Sequence, residues 1–204
     1  MLEKLIVFVE EYSMEASLDL LLPKLLGAMD FEIRRFQCKD DLLKRLPQRL
    51  AGYAGRLPDT WRILVVVDRD DGDCQALKGQ LETVAATAGL LSKTAVGIGQ
   101  NFQVANRIAI EELEAWFFGD WPAVQAAYPR VPSTIPNKAA FRHPDAIVGG
   151  TWEAFERILK KAGYFSTGLR KLECARTVVS HMEPARNTSP SFQAFCGAIN
   201  ATLA

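Results

Sequence analysis

The run Trp61–Val67 (WRILVVV) constrains the fold more than any other segment. It is too short for a buried helix and is rich in β-branched residues. It also lacks the polar alternation of a half-wet strand, so it reads as a strand covered on both faces, as in a parallel sheet. Leu5–Val9 (LIVFV) has the same character. Phe31–Cys38 alternates, with Phe31 and Ile33 set against Glu32 and Arg34, and predicts a second strand. Thr94–Ile98 predicts a weaker fourth. Helical patterns lie between these runs. Leu18, Leu21, Leu22, Leu25 and Leu26 form one stripe, with Ser13 as its expected cap. Asp40 is placed to cap a helix over 41–53, and another is expected over 74–88. Strands alternating with helices predict an α/β fold, a mainly parallel sheet flanked by helices.

Beyond residue 105 the pattern turns helical. Ile108–Phe118 reads as a helix, with Ile108, Leu113, Trp116 and Phe117 in the core. Pro122, Pro129, Pro132, Pro136 and Pro144 then punctuate a loop-rich stretch. Helices are expected over 151–162, 168–182 and 189–203. The division predicted is an α/β core over 1–120 and a mostly helical extension over 121–204, packed on that core.

Charge narrows the function classes. Twenty-four Lys and Arg balance 24 Asp and Glu, so no global field draws the chain to nucleic acid or to a membrane. Nucleic-acid binding then needs a local patch and is expected to be modest and salt-sensitive. Two arginine and lysine clusters offer one: Arg34, Arg35, Lys44, Arg45 and Arg49, and later Arg157, Lys160, Lys161, Arg170 and Lys171. No apolar run approaches the roughly 18 residues that span a bilayer. Leu5–Val9 runs into two acids rather than a cleavage site. Cys38, Cys74, Cys174 and Cys196 show no C-x-x-C pair or zinc spacing. A cytoplasmic chain with reduced thiols is expected. The glycines at 97, 99, 149 and 150 complete neither a G-x-G-x-x-G nor a P-loop, so no nucleotide cradle is inferred.

Chemistry concentrates in three acidic groups. Asp68, Asp70, Asp71 and Asp73 crowd six consecutive positions after the third predicted strand. Ligands of parallel sheets bind beyond the carboxyl ends of strands. Like charges packed this densely repel unless something offsets them, and a divalent cation does so. Mg²⁺ takes one or two carboxylates together with water and phosphate oxygens. Strand alternation would aim Asp68 and Asp70 the same way, with Gly72 allowing the chain to turn. The bland reading is a solvated turn in which Asp73 caps the next helix. An EF-hand is disfavoured, because Gly79 stands where its bidentate glutamate belongs. Glu10, Glu11 and Glu15 form the second group, after the first strand. Glu111, Glu112 and Glu114 form the third, with Glu111 and Glu114 sharing a face if that segment is helical. Each of these groups has a bland alternative, as a charged helix start or a wet helix face.

The order of these groups resembles a Toprim domain, the metal-binding module of topoisomerases, primases and overcoming-lysogenization-defect-type nucleases. VEEYSMEASLDLLLPKLL, VVVDRDDGDC, RIAIEELEAWFFGDW and GGTWEAFERIL with GYFSTGLRK resemble more closely the Toprim-like domain-of-unknown-function family 4276. The resemblance implies a Toprim-like α/β fold. It implies catalytic roles for Glu10 or Glu11, Asp68, Asp70 and Lys171. It implies a Mg²⁺ or Mn²⁺ site drawn from Glu11, Glu15, Asp68, Asp70, Glu111 and Glu114. The family's E-x-W element falls on Glu114 and Trp116. Toprim sequences commonly have Gly after their glutamate, where Tyr12 follows Glu11 here, so the choice between Glu10 and Glu11 stays open. An acid four residues on favours Glu11 with Glu15. The implied activity is metal-dependent nuclease chemistry on DNA or RNA, in a phage-defence type system with an ATPase partner. The rivals are a non-catalytic Toprim-fold partner or regulator, and a metal-dependent phosphatase.

Overall fold

A computed structural model describes residues 2–97 and 99–203. Four strands, β1 (Lys4–Val9), β2 (Asp30–Arg35), β3 (Trp61–Asp68) and β4 (Val104–Ala109), form one parallel sheet in the order β2-β1-β3-β4. The helices α1 (Tyr12–Leu26), α2 (Lys39–Tyr53) and α3 (Cys74–Thr87) provide the crossovers. The remaining helices are α4 (Glu114–Gly119), α5 (Trp121–Ala127), α6 (Thr151–Lys161), α7 (Lys171–Ser180) and α8 (Pro190–Leu203). This is the expected α/β architecture, with a helical C-terminal half.

The period of two in a strand splits the sheet into two dry faces. Leu5, Val7, Val9, Leu64 and Val66 point into one core with α1 and the C-terminal helices. Ile6, Phe8, Ile63, Val65 and Val67 point into the other, under α2 and α3. Both apolar runs are continuous because both faces are covered.

Two expectations fail around the fourth strand. Residues 94–97 form turns and a bend, and Ile98 lies outside the described residues. The strand is instead Val104–Ala109, so the helix expected from Ile108 starts only at Glu114. Asn106 and Arg107 hide this strand by interrupting its apolar pattern. Asn106 is nevertheless buried, its amide donating to Glu82 Oε1 at 3.0 Å. Lys78 Nζ reaches the Asn106 carbonyl at 2.7 Å. Two expected caps also shift. Glu11 rather than Ser13 stands at the start of α1, and Cys38 rather than Asp40 precedes α2. Asp73 does cap α3, accepting from the Ala76 amide at 2.6 Å.

The C-terminal helices share the larger core with the sheet. Phe155 of α6 meets Phe117 at 5.5 Å and Phe118 at 5.7 Å between ring centroids. Buried Asp120 accepts from Arg186 Nε at 2.6 Å and from the Glu183 amide at 2.8 Å. Lys24 of α1 donates to the Met182 carbonyl beyond α7 at 2.8 Å. We therefore expect Phe155→Ala to destabilise the whole chain by about 3–5 kcal/mol, the range for truncating a buried aromatic. Urea unfolding should then show one shifted transition rather than a separate loss of the C-terminal helices.

Candidate metal and acid cluster at the carboxyl edge of the sheet

β1 and β3 are neighbours in register, with Val9 beside Val66. Their carboxyl ends therefore lie at one edge, where Glu10 follows β1 and Asp68 closes β3. Glu10 and Asp68 are both buried there. The Asp68 amide donates to Glu10 Oε1 at 3.2 Å, which fixes one oxygen of that carboxylate. Glu10 Oε2 and Asp68 Oδ1 are buried and have no hydrogen-bond partner. A buried carboxylate oxygen without a donor is rare, and each instance calls for an explanation.

The third acidic segment converges on the same edge. Glu114, at the start of α4, is buried. Burial pushes Glu114 up to about 7, Lys171 opposes the rise, and Glu112 and Glu11 add to it. Burial also pushes Glu10 up to about 7, helped by the charge of Asp70. Asp68 is raised well above the usual carboxylate range, first by burial and then by Glu10, Glu11, Glu114 and Asp70. The acidic groups from remote parts of the chain thus feel one another across one small region.

Asp70 arrives by a different route from the one strand alternation suggests. β3 stops at Asp68, and Asp70 sits at φ 51°, in the left-handed region. Its amide donates to the Glu111 carbonyl at 2.9 Å, which ties this loop to the one after β4. Asp70 is more exposed than Asp68, and its Oδ2 lies 3.1 Å from Lys39 Nζ. Lys39 also donates to the Arg69 carbonyl at 2.7 Å, so the first turn of α2 braces the acidic loop.

Glu11, Glu15 and Glu111 are each partly engaged. Glu11 accepts from the Ser13 hydroxyl. Glu15 pairs with Arg35 at 3.0 Å. Glu111 accepts from the Thr151 amide at 3.0 Å and lies 3.6 Å from Arg69 Nη2. Glu112 takes the Trp152 amide at 3.1 Å. Glu111 and Glu112 thereby satisfy free amides at the start of α6, where negative charge is favoured. Lys171 opens α7, with Nζ 3.8 Å from Glu112 Oε1 and 4.8 Å from the Trp152 ring centroid. Burial lowers its pKa, but Glu114, Glu112, Glu11 and Asp68 outweigh that and the net shift is upward. It is the basic group that the cluster itself holds charged.

The sequence places Glu112 in the third acidic group without giving it a role, and it does not single out Lys39. The i,i+3 argument chose Glu111 with Glu114 by assuming a helix across them. The chain there is a loop, so neighbours in sequence diverge. Lys39 lies some thirty residues from Asp70 in sequence, and nothing local links the two. Among the described residues, no three or more His, Cys, Asp or Glu side chains are already arranged to hold a metal ion.

Residues 9–200 match the family described as Domain of unknown function (DUF4276). The chain belongs to this family. No curated protein matches it. Among solved structures, this DUF4276 chain is similar to the C-terminal region of the Burkholderia pseudomallei OLD protein, at 15% identity and TM-score 0.49, over 100% of both chains. It is also similar to the C-terminal region of the Xanthomonas campestris pv. campestris OLD protein. That likeness is at 12% identity and TM-score 0.44, over 97% of this chain and 94% of the other. No described helix of the DUF4276 chain is long and apolar enough to cross a membrane.

The raised acids make stability depend on pH in a definite direction. A carboxyl whose folded pKa lies above its unfolded value contributes stability that is complete below the unfolded value and lost as pH rises through the folded one. For Glu10 and Glu114 that window runs from 4.5 to about 7. The metal-free protein should therefore unfold at a higher temperature at pH 5.5 than at pH 8. The loss is on the order of 3 kcal/mol for a single carboxyl moved this far. Glu10→Gln should flatten the profile, measured by thermal unfolding across the pH range in EDTA.

Proposed function

We propose that this chain is a Toprim-like nuclease that depends on Mg²⁺ or Mn²⁺ and cleaves phosphodiester bonds of DNA or RNA. The observation that carries the reading is the pair of donorless buried oxygens, Glu10 Oε2 and Asp68 Oδ1, at the ends of adjacent strands. Such oxygens suit a hard cation, which would reverse the repulsion that now favours their protonated forms. Glu10 and Asp68 would hold the ion, with Glu11, Asp70 and Glu114 completing the acidic surround. The Toprim resemblance assigns the glutamate to Glu10 or Glu11, and the burial of Glu10 against the Asp68 amide favours Glu10. When bound, the ion polarises a phosphoryl oxygen and makes water more acidic.

The chain's own groups divide the remaining work. Glu114 titrates near neutrality and is suited to take a proton from an attacking water. Lys171 stays charged and offsets negative charge gathering on the phosphate. Lys39 holds the acidic loop in place through Asp70. An ATPase partner is part of the same proposal, as the Toprim resemblance implies.

A second reading, a non-catalytic Toprim-fold partner or regulator, is favoured by the absence of a ready-made metal cluster among the described residues. Purified protein with Mn²⁺ or Mg²⁺ and mixed DNA and RNA substrates separates the two. Cleavage is expected, with Asp68→Asn and Glu10→Gln each lowering it by at least ~100-fold, as for loss of a central electrostatic group. Calorimetry should show Mn²⁺ binding that Asp68→Asn abolishes. Cleavage that survives both substitutions would refute the assigned site. No Mn²⁺ uptake and no cleavage would favour the regulator.

A further inference from the structure

A second feature of the surface lies away from the carboxylates. Between α2 and the edge strand β2 runs a cavity of about 800 Å³, lined by Arg34, Arg45, Arg49, Arg56, Tyr53 and Trp61 among others. A further cavity of about 470 Å³ shares Arg34, Arg45 and Arg49 and extends it to Arg35 and Gln37. The two form one furrow along the sheet edge. Arg45 is paired with Asp41 at 2.7 Å and Arg34 with Glu32 at 2.8 Å. Arg49 and Arg56 have no ion-pair partner among the described residues. In a chain of zero net charge, this is a local excess of positive charge.

The furrow also points somewhere. Its upper end is Arg35, whose guanidinium carbon lies 3.4 Å from the centroid of the Tyr12 ring. Tyr12 is 59% exposed and directly follows Glu11. One end is therefore at the acidic cluster, and the other is at the half-buried Trp61.

We propose that this furrow binds single-stranded nucleic acid, its arginines on successive phosphates and its aromatic wall against an unpaired base, and leads the strand to the acidic edge. The assignment rests on the nuclease reading for its choice of ligand and adds the track that the reading lacks. Arginine forks suit phosphate oxygens, and alternating arginine and aromatic side chains are the usual surface for unpaired strands. Cavities of roughly 300–1,000 Å³ hold one small ligand. The furrow therefore takes a nucleotide or two at a time, which fits a threaded strand and not a whole duplex.

The test is binding without cleavage. Fluorescence anisotropy of a labelled single strand of roughly 12 nucleotides, within the usual site size for such grooves, is measured in EDTA. Arg49→Glu with Arg56→Glu should weaken binding at least tenfold. Their salt dependence should become shallower by about 1.4 in log–log slope, two contacts at ~0.7 each. Arg49→Gln with Arg56→Gln, which keeps the helix surface polar, should weaken it in the same direction. Arg157→Glu with Lys161→Glu makes the same charge change on α6 and should have little effect. Binding lost equally in both charge-reversed pairs, or in neither, overturns the furrow, as does failure of the unaltered protein to bind. Displacement by AMP as effective as by unlabelled strand would make it a mononucleotide site and overturn the proposal. Equal affinity for duplex would do the same. Strand binding that depends on Arg49 and Arg56 without any cleavage would sustain the furrow while the nuclease reading fails.

Discussion

The arrangement turns on two carboxylates that a parallel sheet forces together. β1 and β3 are neighbours, Glu10 follows one and Asp68 closes the other at the same edge, and the Asp68 amide donates to Glu10. Two neighbouring anions taken out of bulk solvent repel and lose hydration, so the pair is unfavourable when both are charged. The single amide donated by Asp68 satisfies one oxygen and leaves two without partners. The remaining charge has to be met by protons or by a cation. Hydrophobic packing under the sheet is what holds the pair at this separation, since Val7, Val9, Leu64 and Val66 are locked in one core.

The helical half earns its position at this edge by its first turns. Glu111 and Glu112 close the start of α6, and Glu112 draws in Lys171 at the start of α7. Trp152, on α6, lies against the same lysine. One basic side chain, Lys171, is thereby delivered to the acidic cluster by an element well beyond Glu114, the last of its acids. The aromatic contacts of Phe155 with Phe117 and Phe118 set the depth of α6 behind this arrangement. Packing in the larger core and the charge balance at the edge are one mechanical system.

The two inner strands and the three crossover helices were legible because nothing polar interrupts their patterns. β4 was not, since Asn106 and Arg107 stand in its middle and find partners in side chains of α3 and a carbonyl of α8. That information is tertiary and has no local trace. The same limit applies at the site. Asp68 and the buried glutamate followed from the rule that ligands sit beyond strand ends. The choice of Glu10 over Glu11 as the buried one did not, because it depends on which residue the strand still controls. Strand alternation misdescribed Asp70 for a similar reason. The strand ends two residues before it, and a left-handed residue redirects the chain.

Zero net charge is compatible with a nucleic-acid track only if the two signs are sorted in space. The acids are gathered at the carboxyl edge, where burial and mutual repulsion hold several of them above their ordinary range. The arginines of β2 and α2 line the neighbouring edge of the same sheet. On the proposed reading a polyanion would be attracted along the furrow and repelled at the cluster until a cation occupied it. Screening limits such attraction to about 10 Å at ordinary salt. The proposed furrow would therefore act by contact rather than by long-range steering, with its upper end where Arg35 meets Tyr12, the residue after Glu11. In the proposed nuclease a strand held there would approach the acids only as far as their charge had been neutralised, so the proposed binding and cleaving surfaces would be coupled through the ion.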